Sequence, residues 1–147
     1  MAVKPPFFPQ ERFDTCAIAC LRMILAHHAI KVSEEDLVHS AAMDEGGVDI
    51  EELVRLAQHF GLLAEIRQLF VEDIAELLAQ DRMAIVYLNR LPLDGIFSVH
   101  AVVPIRVTAH FVTILDPRMG ERRVSRKKLD IARRYLSFYG VICGPKR

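Results

Sequence analysis

Gln10, Cys16, His100 and Asp116 are far apart in the chain, yet together they have the residue types a thiol acyl-transfer site needs. A cysteine thiolate attacks a carbonyl carbon. A histidine takes the thiol proton, or stabilises the ion pair, and later protonates the leaving amine. A carboxylate that accepts from one ring nitrogen fixes the tautomer and tilt of the imidazole. The developing oxyanion needs donors. The backbone amide of Cys16 is one, and the carboxamide of Gln10, six residues upstream, can be the second. Glutamate at position 10 would repel the oxyanion.

These residue types require particular elements around them. Cys16 stands where a polar, turn-prone stretch runs into an amphipathic one. Asp14 or Thr15 can serve as the N-cap, each through a side-chain oxygen that accepts from a free first-turn amide. Cys16 then lies in the first turn, where the partial positive charge of the helix start favours thiolate over thiol. His100 and Asp116 fall on two apolar runs, Val99 to Val107 and His110 to Leu115 with the turn that follows it. A hairpin centred on Thr108 sets His100 directly opposite Asp116. Directly opposed Cβ atoms are about 4.5–5.5 Å apart, within hydrogen-bonding reach of the two side chains. Val107-Thr108-Ala109 contains no Gly, Asn or Asp, so turn chemistry does not pin that register.

Each residue also has a plainer reading. Cys16 can be an inert thiol, His100 a satisfied core residue, and Asp116-Pro117 only a turn. Cys16 and Cys20 are one turn apart, with His27 and His28 further along, but Cys-x3-Cys without a second ligand pair is a poor metal site. Cys20 and Cys143 read as core, and no metal or cofactor is expected. His110 is a rival base without an evident acid partner. His27 and His28 suit a helix C-terminus, and His39 and His59 read as surface or boundary residues. Arg122, Arg123, Arg126, Lys127, Lys128, Arg133 and Arg134 form a basic cluster, most simply a solvated helix face, with a surface for an acidic partner as the alternative.

The totals bound the class. One domain is the natural reading of 147 residues, and 52% apolar content supports a real core. Lys+Arg and Asp+Glu are 19 each, so no net field draws in nucleic acid or an anionic membrane. Three unpatterned cysteines suit a reducing cytoplasm. The proline-broken start lacks a signal-peptide core. No run approaches the roughly 18 apolar residues of a membrane span.

Period and capping signals predict helices over 14–29, 34–43 and about 50–60, then a strand at 62–67, a helix from 70 or 71 to 80, and a strand at 83–88. A surface loop over 89–98, the hairpin, a turn at 116–120, a helix from Ser125 to about Tyr135 and a strand at 138–143 follow. Helices first and a mostly antiparallel sheet second give an α+β domain, with a helical lobe over about 14–61 and a sheet lobe over about 62–147.

The set Gln10-x5-Cys16-x3-Cys20-Leu21-x-Met23-Ile24-Leu25, then His100-x-Val102-Val103, then Asp116-Pro117-x2-Gly120, resembles the double-glycine leader peptidases. Val48-x-Ile50-x2-Leu53, Ala57 and Gly61-Leu62 fit the same family's helical region, so the resemblance spans nearly the whole chain. It implies a papain-like fold and a cysteine peptidase that processes bacteriocin-like precursors. Cys16 would be nucleophile, His100 general base and acid, Asp116 the orienting acid and Gln10 an oxyanion donor. The substrate would be a peptide cut after a Gly-Gly or Gly-Ala pair, its leader helix held by apolar contacts. The partner would be an ABC exporter supplied by another chain. The family commonly has an acidic residue before the nucleophile and glycine after it, where this chain has Thr15 and Ala17. The added methyl of Ala17 would narrow the cleft. The competing function is a peptidase-like module that binds a precursor or partner without cutting it.

Overall fold

The computed structural model describes residues 4–146. The helical half comprises α1 (Cys16–His27), α2 (Glu34–Ser40) and α3 (Ile50–His59). Ser33 caps α2 by accepting from the Asp36 amide, and Asp49 caps α3 by accepting from the Glu52 amide. Then come β1 (Leu62–Gln68), α4 (Val71–Ala79), β2 (Met83–Asn89) and a single-turn α5 (Leu91–Asp94). The chain finishes with β3 (Val99–Val107), β4 (Phe111–Asp116), β5 (Gly120–Ser125), α6 (Arg126–Arg134) and β6 (Tyr139–Pro145). The strands form one sheet in the order β1-β6-β2-β3-β4-β5, and every neighbouring pair is antiparallel.

Side-chain alternation splits the core into two. Met83, Ile85, Ala101, Val103, Val141 and Cys143 pack with Leu21, Ile24, Leu53 and Leu56 of α1 and α3. Ala84, Val86, Leu88, Val102, Ile114 and Ile142 pack with Ile74 and Leu77 of α4 and Leu129 and Ala132 of α6. Both faces of the central strands are therefore covered, which is why β2 reads as an unbroken apolar run.

Three sequence expectations change. Gly120–Ser125 is a strand rather than part of a turn and helix lead-in. It is the sheet edge and buries only Val124, so its polar sequence lacks an apolar alternation to detect. The 89–98 segment contains the short α5. Finally, the hairpin register differs. Val103 pairs with Leu115 and Pro104 with Ile114, then the ladder slips so that Arg106 pairs with Thr113 and Val107 with Val112. The turn is wider than one centred on Thr108, because the Thr108 amide donates to the Phe111 carbonyl and the Phe111 amide donates to the Thr108 hydroxyl. Asp116 follows Leu115 and so stands beside Val102, not opposite His100. The discrepancy is two residues, and a strand's period of two keeps both side chains on one face, as diagonal neighbours.

Candidate active site

Cys16 begins α1, with Thr15 in the N-cap position. Neither expected cap closes the helix. The Thr15 hydroxyl turns back to Arg12, accepting from its amide at 3.1 Å and donating to its carbonyl at 3.0 Å. Asp14 accepts from the Arg12 guanidinium at 3.2 Å. No side chain caps the first-turn amides, and the amide of Ala17 serves the thiol instead. The stretch before Cys16 is pressed into place by Gly47. With φ of 98°, a Cβ built there would lie 2.6 Å from the Asp14 carbonyl oxygen, so only glycine allows the approach.

The sheet supplies the partner groups. His100 Nε2 donates to Asp116 Oδ1 at 2.7 Å, and both side chains are almost fully buried. That leaves Nδ1 for the thiol. Burial alone would push the Cys16 thiol up. The hydrogen bond and charge of His100, with the amides of Ala101 and Ala17, outweigh burial and hold the thiol below its ordinary value. Burial alone would likewise lower His100. Hydrogen bonds and charges from Asp116 and Cys16 raise it to about 9. Burial disfavours the Asp116 carboxylate, but His100 and the Arg118 and Met119 amides keep it below the usual range. The arrangement favours a thiolate–imidazolium pair backed by a carboxylate.

Gln10 lies between the two halves. Its amide donates to the Pro117 carbonyl at 2.9 Å, which ties the lead-in to the turn after Asp116. Its side-chain nitrogen donates to the carbonyls of Arg12 at 2.8 Å and Phe13 at 3.3 Å. The next amide, of Glu11, donates to both oxygens of the buried Glu34 carboxylate. Position 10 is therefore anchored from both lobes.

Two residues of the basic cluster, Arg122 and Arg133, are not on the solvated face the sequence suggested. Arg122 reaches from β5 to Asp116 Oδ2 at 3.3 Å and to Asp94 Oδ1 at 3.0 Å. Arg133 is fully buried, with its guanidinium donating to the Leu69 and Phe138 carbonyls. Tyr87 opposes Ala101 across β2 and β3, and its hydroxyl is buried without a partner among the described residues. It lines an apolar pocket of about 400 Å³ with Ile50, Ile66, Leu136 and Tyr139. None of these had a signal in the sequence beyond residue type. Cys20 and Cys143 are core residues, and His110 is exposed in the turn before β4.

The profile of the peptidase C39 family matches residues 4–132. The chain belongs to the peptidase C39 family. No curated relative matches it at a significant level. Among solved structures it is similar to a double-glycine motif protease from an AMS/PCAT transporter bound to its leader peptide. That match has 20% identity and a TM-score of 0.80, covering 99% of this chain and 94% of the other. A C39-like peptidase from Bacillus anthracis matches at 18% identity and a TM-score of 0.81, covering 96% and 94%. The peptidase domain of Streptococcus ComA, a bifunctional ABC transporter of a quorum-sensing pathway, matches at 16% identity and 0.79, covering 95% and 97%. At these identities the C39 structures establish the shared fold, which is papain-like. Family membership makes the chain a cysteine peptidase by class. Among the described residues no helix is long and apolar enough to cross a membrane.

Proposed function

We propose that this C39 peptidase removes double-glycine-type leaders from precursor peptides through Cys16, His100, Asp116 and Gln10, acting as one catalytic domain. The observation that carries the reading is the buried Asp116–His100 pair set against Cys16 at the open start of α1. The Cys16 thiolate attacks the carbonyl carbon of the scissile bond. Charge gathers on its oxygen, beside the first-turn amide of Cys16 and the Gln10 carboxamide. As that intermediate collapses, the C–N bond breaks and the imidazolium of His100 gives its proton to the leaving amine. The leader remains as a Cys16 thioester. His100, now neutral, takes a proton from water, whose oxygen attacks the thioester and frees the leader carboxylate and the thiol. Asp116 holds the ring in one tautomer throughout.

The apolar pocket beside Tyr87 supports the substrate side of the reading. It offers aliphatic and aromatic side chains to the apolar face of a leader helix. The precursor would be met in the cytoplasm, with an ABC exporter supplied by another chain as the partner. A second reading, a weakly active binding module, draws on one observation. Gln10 Nε2 already donates to two backbone carbonyls and must share a hydrogen with the oxyanion. The test is incubation with a synthetic precursor carrying a Gly-Gly junction, followed by mass spectrometry. Cleavage after the second glycine, lost when both glycines become valine, is the expected outcome. Tight binding of the intact precursor with no cleavage would favour the second reading.

A further inference from the structure

The Asp116 carboxylate is held unequally at its two oxygens. Oδ1 accepts from His100 Nε2 at 2.7 Å, from the Arg118 amide at 2.9 Å and from the Met119 amide at 3.3 Å. Oδ2 has one side-chain donor among the described residues, Arg122 Nη1 at 3.3 Å. The terminal torsion of an aspartate is broad and roughly two-fold, so a carboxylate gripped at one oxygen can swing. Gripped at both, it cannot turn without breaking a charged contact.

The other end of the Arg122 fork is fixed as well. Nη2 reaches Asp94 Oδ1 at 3.0 Å, and Asp94 Oδ2 accepts from Arg90 Nε at 3.3 Å. The side chains of Arg122, Asp94 and Arg90 are 22%, 11% and 10% exposed, so water screens this row only weakly. Asp94 and Arg90 belong to a closed segment. The Arg90 amide donates to the Ser98 carbonyl at 2.8 Å, and Asn89 Oδ1 accepts from the Leu91 and Ser98 amides. Ser98 lies two residues before His100. The same row therefore fixes both the acid and the segment from which the histidine strand departs.

We propose that Arg122, braced by Asp94, is a positioning residue for the reaction. It locks the second oxygen of Asp116 and joins the 90–98 segment to the catalytic acid. The role requires arginine, because a planar fork serves two carboxylates at once and a lysine ammonium on a flexible stem does not hold that geometry. Breaking the row at Arg122 leaves two carboxylates, Asp94 and Asp116, without their shared cation.

The inference rests on the catalytic reading of Cys16, His100 and Asp116, and its test needs no peptide substrate. The full chain is reacted with iodoacetamide at neutral pH and Cys16 labelling is followed. In the same samples the ring proton between His100 and Asp116 is sought far downfield by NMR. Arg122→Gln keeps polarity but loses the charge. It is expected to slow Cys16 labelling about tenfold and to broaden or remove the ring-proton signal. Arg122→Lys should fall between it and wild type. Asp94→Asn should slow labelling about twofold to threefold, because Arg122 then keeps its charge but loses its brace. A folded Arg122→Gln protein with wild-type labelling and an unmoved ring proton would overturn the proposal. If that variant does not fold, wild-type values in both Arg122→Lys and Asp94→Asn overturn it equally. Wild-type failure to cleave any precursor, with labelling still dependent on Arg122, would remove the peptidase reading and leave this inference standing.

Discussion

On the helical side of the site Cys16 is fixed by backbone packing, whereas on the sheet side His100 and Asp116 are fixed by a row of charged hydrogen bonds. The turn ending in Gly47 presses on Asp14, Thr15 folds back on Arg12, and the buried residues of α1 hold the helix below the thiol. Opposite, His100, Asp116, Arg122, Asp94 and Arg90 follow one another at 2.7–3.3 Å. The first kind of support is more sensitive to volume than to charge. The second is sensitive to charge and tolerates modest changes in size. The two sides should therefore fail differently.

On the proposed mechanism the largest effects come from the reacting groups, which no support can replace. Cys16→Ala should abolish precursor cleavage and leave the fold intact, as read by circular dichroism. His100→Ala should cost nearly as much, on the order of 10⁴-fold in kcat. Asp116→Ala should cost somewhat less, because orientation is lost while proton transfer persists. Gln10→Ala should lower kcat about 10²-fold with little change in KM, as expected for a donor that acts on the transition state. Equal losses in kcat for Gln10→Ala and Gln10→Leu would fit that role, and no loss in either would end it.

Gly47→Ala breaks the helical support selectively. The new Cβ meets the Asp14 carbonyl, and a backbone at φ of 98° is strained for alanine. A loss of about 1–3 kcal/mol in urea unfolding is expected, together with slower Cys16 labelling. An alanine variant with unchanged labelling would show that the Gly47–Asp14 contact does not position the thiol.

The pH response tests the sheet side and is the mildest perturbation. His100 is raised to about 9 in the folded chain, so its proton is present for the leaving amine at neutral pH and is lost as pH climbs through about 9. The alkaline limb of kcat/KM should fall there. The same shift adds stability that is complete below the ordinary histidine value of about 6.5 and declines between there and about 9. A limb near 7 would mean that Asp116 and Cys16 do not hold the imidazolium.

How much of this was legible in the sequence follows the same divide. Helices α2 and α3 carry their own N-caps, so Ser33 and Asp49 mark where they start, and α1 is marked by its apolar period alone. The placement of Cys16 in a first helical turn needed only local reading. The expected cap by Asp14 or Thr15 was not found, because both side chains bond to Arg12 instead. His100 and Asp116 were paired by a register that the Pro104/Arg106 slip and the wider turn displaced by two residues. An even displacement left them together, whereas an odd one would have put them on opposite faces. Arg122 was unreadable, since its neighbours Arg123 and Arg126 are also basic and only the edge-strand alternation turns it inward. Tyr87 likewise became part of a pocket only through strands distant in sequence.

Where the pocket beside Tyr87 takes the leader, as proposed, Arg133 also bears on recognition. Its buried guanidinium holds the carbonyls of Leu69 and Phe138, pinning a tight turn in which Ser137 and Phe138 have positive φ. That turn carries Leu136 and leads into Tyr139, two walls of the apolar pocket. Those walls are thus preorganised before a peptide arrives. The entropy lost on binding then falls chiefly on the peptide, which must stiffen from coil to helix. Leaders that already favour a helix in water should bind more tightly than equally apolar leaders that do not.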